Sequence, residues 1–204
     1  DGSELRLTIS RYYTPSGRSI QKPYVAGTED YQKDMLHRFE NGEYFHPDSS
    51  LFVDSLKYKT GKGRVVYGGG GIMPDVFVAR DTTELSELLS QLYSKNVIRE
   101  YALAYYNDNR KDLEKMSMDK FVKSFNVSDK MLQELMRMAA QSDVKYDEAQ
   151  YKRSQGLLRN NVKAFIGRSV YGNQGFFPIL HEKDEEFQEA LRQFGQAQRL
   201  AKGV

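Results

Sequence analysis

The chain has 204 residues, long enough for one large domain or two small ones with a buried core. Thirty lysines and arginines against 28 aspartates and glutamates leave a formal charge of +2, so no strong field argues for nucleic acid or an anionic membrane. Cysteine is absent, which excludes disulfides and thiolate chemistry, and no apolar run is long enough to span a bilayer.

Asp1-Gly2-Ser3-Glu4 lacks the basic start and apolar stretch of a secretory signal. Leu5, Leu7 and Ile9 then alternate with Arg6, Thr8 and Ser10, which predicts a half-buried strand continuing through Tyr12 and Tyr13. Thr14-Pro15-Ser16-Gly17 supplies a turn, and Arg18 to Gln21 the returning strand of a hairpin. Residues 22 to 60 are mixed: a short helix is expected over Tyr31 to Phe39, with Met35, Leu36 and Phe39 on one side, and turns at Asn41-Gly42 and His46-Pro47-Asp48. Short strands are predicted over Lys62 to Tyr67 and over Ile72 to Val78.

From Asp81 the period becomes helical. Thr82 is read as the N-cap of a helix with Leu85, Leu88, Leu89 and Leu92 on its apolar stripe, continuing to Tyr105. Ser117 opens a shorter segment carrying Phe121 and Phe125, and Ser128 caps a helix with Leu132, Leu135, Met136 and Ala139. A long helix is expected from Asp147, with Leu157, Leu158, Val162, Phe165, Ile166 and Val170 on one face, broken at Gly172-Asn173-Gln174-Gly175. A last helix, Glu182 to about Leu200, should bury Phe187, Leu191 and Phe194. The division is therefore residues 1-81, then a helical domain over 82-204.

Several patterns imitate chemistry. Gly68 to Gly71 lacks the lysine and hydroxyl residue a phosphate loop requires, so a tight loop is expected there. His46, Asp48, Ser49 and Ser50 hold the letters of a catalytic triad, but triads are assembled from distant segments, and a polar turn is the expectation. His37 and His46 are not at metal-ligand spacing and His181 stands alone, so neither a metal site nor a cofactor is predicted. Lys152, Arg153, Arg159, Lys163 and Arg168 give the long helix a basic side, read as a solvated face, with an acidic partner as the alternative. Lys62, in Gly61-Lys62-Gly63-Arg64, is read as a turn residue.

Two motifs carry a resemblance. Leu5-Arg6-Leu7-Thr8 followed by Arg11-Tyr12-Tyr13-Thr14-Pro15-Ser16-Gly17-Arg18-Ser19-Ile20-Gln21, and then Gly71-Ile72-Met73-Pro74-Asp75-Val76, resemble the region after the catalytic lysine in carboxyl-terminal processing (tail-specific) serine peptidases. The resemblance implies an α+β chain: an incomplete β-rich portion of a ClpP/crotonase-like peptidase core with an insertion at about 22-67, then a mainly helical C-terminal domain. It implies a serine endopeptidase whose Ser-Lys dyad and PDZ domain lie upstream, so no catalytic residue is assigned here and the chain alone should be inactive. It also implies a protein or peptide substrate and a bacterial cell envelope or periplasmic location. Tyr12 and Tyr13 are the candidates for residues near the cleft, one of them in the core, because alternation sends them to opposite faces. The competing expectation is a non-catalytic protein-interaction or oligomerisation module built on the helices, with a homo-oligomer among its forms.

Overall fold

In the computed structural model, which describes residues 2-22, 27-46, 54-69 and 71-202, the sequence Thr14 to Arg18 closes a tight hairpin. The Thr14 N–H donates to the Arg18 carbonyl and the Gly17 N–H to the Thr14 carbonyl, both at 2.8 Å, with Tyr13 bridged to Ser19. Gly17 sits at φ +87°, a conformation that needs glycine in this type of turn. The same turn recurs 46 residues later: Thr60 N–H donates to the Arg64 carbonyl at 2.9 Å and Gly63 N–H to the Thr60 carbonyl at 2.8 Å, with Gly63 at φ +81°. It joins β1 (Lys57–Lys59) to β2 (Val65–Tyr67), which pair antiparallel with Tyr58 opposite Val66.

The chain divides into two compact units, Asp1–Arg80 with Gln196–Val204, and Asp81–Gly195. Helix accounts for 59% of the structure and the sheet has two strands, an α+β composition. The first unit is much less β-rich than its sequence predicts. Residues 2–9 form no strand, and Leu5, Leu7 and Ile9 are 91%, 75% and 86% exposed. A strand needs a neighbouring strand for its backbone groups, and among the described residues no strand pairs with Leu5 to Ile9. Ile72 to Val78 also forms no strand; Pro74 removes a ladder donor there, and Ile72, Val76 and Phe77 stay exposed. The expected helix is present as α1 (Thr28–Glu40), but Leu36 and Phe39 are about half exposed. The side chain of Met35, together with Pro47, Asp48, Ser49, Ser50 and Gly70, lies outside the described residues.

In the second unit the apolar stripes build one core. Its helices are α2 (Glu87–Ser94), α3 (Val97–Leu113), α4 (Met118–Ser124), α5 (Asp129–Gln141), α6 (Glu148–Tyr171), α7 (Asn173–Leu180) and α8 (Glu185–Arg192). The element α9 (Phe194–Lys202) follows. Ser128 caps α5 as expected, and Ser117 and Asp147, expected as the starts of their helices, cap α4 and α6, each accepting the N–H of the third residue onward. Leu89, Leu92, Leu132, Leu135 and Leu158 are at most 1% exposed, each burial contributing about 1.5–3 kcal/mol. The long helix α6 lies against α2, α3, α4 and α7, so it is buried on more sides than a single apolar face allows.

Three boundaries differ from the sequence reading. The first helix starts at Ser86, whose Oγ accepts the Leu89 N–H, and not at Thr82; it ends at Lys95, where Asn96 turns left-handed and α3 begins. The expected break at Gly172 to Gly175 is Gly172 alone, and a helix that the sequence reading missed, α7, follows at once. The last predicted helix is divided between α8, capped by Asp184, and α9, with Gln193 at the join. Phe187, Leu191 and Phe194 are 40%, 47% and 69% exposed, not buried.

Candidate functional site

The two sequence motifs, fifty residues apart in the chain, meet in space. A Cβ placed on Gly71 would lie 3.5 Å from the Ile20 carbonyl oxygen, so the second motif runs close against the backbone of the first. The Arg18 guanidinium donates to the Tyr67 carbonyl at 3.2 Å and to Ser16 Oγ at 3.3 Å. Arg64, at the equivalent position of the second hairpin, pairs with Asp75 of the Ile-Met-Pro-Asp phrase at 2.9 Å. The Thr-x-x-Gly-Arg phrase that recurs in the sequence, Thr14 to Arg18 and Thr60 to Arg64, is the local signal of these two matching turns.

The glycine run lies against β1. A Cβ on Gly68 would stand 3.0 Å from the Tyr58 ring and one on Gly69 2.5 Å from a Leu56 methyl. These glycines let the backbone pass over two side chains, which accounts for them without a phosphate. Lys62 is at the exposed tip of its turn and its Nζ donates to the Ala201 carbonyl at 2.7 Å. Tyr12 and Tyr13 are 66% and 60% exposed, so neither is in a core, contrary to expectation. They sit at the mouth of the first hairpin, Tyr12 accepting the Ile20 N–H at 3.2 Å through its carbonyl.

The histidines do not converge: among the described residues no three His, Asp or Glu side chains gather as a metal site would require. His181 is stacked between Phe177 and Phe187, at 5.7 and 4.2 Å between ring centres, and its Nδ1 lies 2.9 Å from Asp184 Oδ2. The Phe187 N–H, and then His181, hold the Asp184 carboxyl below its ordinary value. This cluster orients the start of α8. Burial, aided by the neighbouring Glu134 carboxylate, pushes the Tyr101 phenol above its ordinary value, which keeps it a neutral donor inside the bundle.

On the basic side of α6, Lys152, Arg153 and Arg168 are exposed as expected of a solvated face, while Arg159 and Lys163 are partly buried. Arg153 donates to the Thr82 and Thr83 carbonyls, Arg159 to the Val127 carbonyl and the Asp129 carboxylate, and Lys163 to the Val122 carbonyl at 2.6 Å. Arg168 lies over the Phe176 ring. Arg153, Arg159 and Lys163 thereby satisfy carbonyls of loops and helices in their own unit. Lys163→Met is expected to cost about 1–2 kcal/mol in urea unfolding, because the carbonyl at the end of α4 loses a charged donor. Lys152→Met, which removes an exposed pair with Glu148, should change stability by less than about 0.5 kcal/mol. Equal effects at the two positions would contradict this assignment.

A groove of about 590 Å³ opens in the second unit between α5 and the start of α6. Asp129, Gln133, Met136, Arg137 and Ala140 line one side, and Tyr146, Tyr151 and Gln155 the other. The two tyrosine rings are 5.6 Å apart and tilted by 48°.

A family of unknown function (DUF8443) matches residues 88–172, from α2 to the end of α6. Over those residues the chain is similar to that family. The match takes in the groove and the basic side of α6, and leaves out both motifs of the first unit. No curated protein and no solved structure matches the chain. No described helix is long and apolar enough to cross a membrane.

Proposed function

We propose that this chain is the rear part of a tail-specific serine endopeptidase, in which it supplies sheet edge and helical scaffold while a Ser-Lys dyad upstream supplies the chemistry. The observation that carries the reading is the meeting of the two motifs, Arg11 to Gln21 and Gly71 to Val76, through Gly71 and Ile20. The segment before them supports it as well. Leu5, Leu7 and Ile9 have the alternation of a strand with one buried face, yet are exposed and unpaired among the described residues. A sheet from the upstream part would cover these side chains and pair this backbone. In such an enzyme a desolvated lysine activates the serine, and the hairpin with Tyr12 and Tyr13 stands beside the cleft. A bacterial envelope setting belongs to the same proposal.

The test is proteolysis of an unfolded protein substrate by the product of the whole reading frame. The serine and lysine of an upstream dyad, replaced singly by alanine, should each abolish cleavage. Ile9→Lys should reduce cleavage at least about tenfold, because a buried lysine would prevent the strand from joining the sheet. The helical signal of the second unit should survive that change. A reading frame with no serine and lysine in this arrangement, or cleavage indifferent to Ile9→Lys, would sink the proposal.

A further inference from the structure

Two surfaces of the second unit expose apolar side chains beside charges of opposite sign. The first is a stripe on α8 and its continuation: Phe187, Leu191 and Phe194 recur at the spacing of one helical face, all at least 40% exposed. Glu186, next to the stripe, is exposed and forms no ion pair among the described residues. The second is the groove between α5 and α6, with Met136, Tyr146 and Tyr151 in its lining and Arg137 beside them. Arg137 is also exposed and without an ion-pair partner among the described residues, whereas the Asp129 carboxylate is taken by Arg159.

The two surfaces lie toward the same end of the unit. Helix α7 begins against the C-terminal half of α6, where Gly175 meets Gly167. By Lys183 the chain is back beside Gly156, where Lys183 pairs with Glu84 at 2.7 Å. Helix α8 therefore starts level with Tyr151 and Gln155, the α6 side of the groove.

We propose that α8 of a second copy of this chain occupies the α5–α6 groove, its Phe187–Leu191–Phe194 stripe on the tyrosines and Met136, and its Glu186 against Arg137. With donor and acceptor surfaces at one end, two copies exchange helices about a two-fold axis and the assembly closes as a dimer. An amphipathic helix laid in an apolar groove is a recurrent mode of recognition, and the opposite charges at its edge set its direction. Each copy contributes a single helix face to the exchange, so a weak, concentration-dependent dimer is expected. This inference does not rest on the peptidase reading.

Sedimentation of the whole chain at low salt, from micromolar to hundreds of micromolar, tests it. The mass should rise from that of one 23.5 kDa chain toward twice that value. Leu191→Lys should abolish the rise. Glu186→Arg and Arg137→Glu should each weaken association about tenfold or more, and the two together should restore it to within about threefold. All three substitutions fall on exposed positions, and far-UV circular dichroism should show the helices intact in all four variants. A monomer at every concentration overturns the proposal, as does a dimer indifferent to these variants. Loss in both single variants without recovery in the double overturns it too.

Discussion

Replacing Phe121 with alanine is expected to destabilise the helical unit by about 3–5 kcal/mol, the range for removing a fully buried phenylalanine. Its ring is 0% exposed, stacks on Phe125 at 4.5 Å between centres and meets Tyr171 at 5.6 Å. The helix it belongs to, α4, has seven residues and could not persist in water alone. Phe121 therefore anchors α4, assisted by the Ser117 cap and the Lys163 contact. Urea unfolding followed by helical circular dichroism measures the loss, and hydrogen exchange should show α4 opening first. A loss below about 1 kcal/mol would mean that the neighbouring rings collapse into the space and the anchor lies elsewhere.

Gly175→Ala should cost about 2 kcal/mol or more, although alanine is the better helix former by roughly 1 kcal/mol. A Cβ at Gly175 would stand 2.5 Å from the Gly167 carbonyl oxygen and 2.9 Å from Tyr171 Cβ. Gly167 has the reciprocal problem, 2.6 Å from the Gly175 carbonyl. Backbone cannot step aside as a side chain can, so α6 and α7 must separate, loosening Phe176 and Ile179. Gly156→Ala in the same long helix is the comparison. There the added methyl would meet Glu84 Oε1 and Lys183 Nζ, the movable ends of a partly exposed ion pair. The pair contributes about 0–1 kcal/mol and the helix gains a similar amount, so Gly156→Ala should be close to neutral. Similar losses at both glycines would show that the close approach of α6 and α7 is not what makes Gly175 necessary.

Much of the helical unit was legible because its signals are local. Ser117, Ser128 and Asp147 each precede an apolar-periodic segment; Ser128 caps its helix as expected, and Ser117 and Asp147, read as the starts of theirs, prove to be the caps. Leu88, Leu89, Leu92, Leu132 and Leu135 recur at helical spacing and are buried. The errors occur where a distant segment decides. Thr82 is as good a cap by composition as Ser86, but Arg153 holds the Thr82 and Thr83 carbonyls and Ser154 Oγ donates to the Glu84 carbonyl, so the helix starts only after them. Gly175 looks like a second helix breaker and instead permits the contact that makes α7 possible. The stripe on α8 has the periodicity of a buried face and is exposed, because periodicity records which face is apolar and says nothing of what covers it.

The candidate site divides in the same way. The turn chemistry of Thr14 to Arg18 was readable from Pro15 and Gly17, since both act through their own backbone angles. That Leu5 to Ile9 would stay unpaired was not readable, because a strand exists only with its neighbour. The sequence by itself therefore determined the turns, the caps and the apolar faces, which depend on residues within a few positions of one another. The tertiary structure alone decided that the two motifs meet at Gly71 and Ile20, that Arg159 and Lys163 of α6 reach the Val127 and Val122 carbonyls, and that Gly167 and Gly175 touch. Each of those is a contact between segments that no local propensity links, fixed only when the packed chain brings them within a few ångströms.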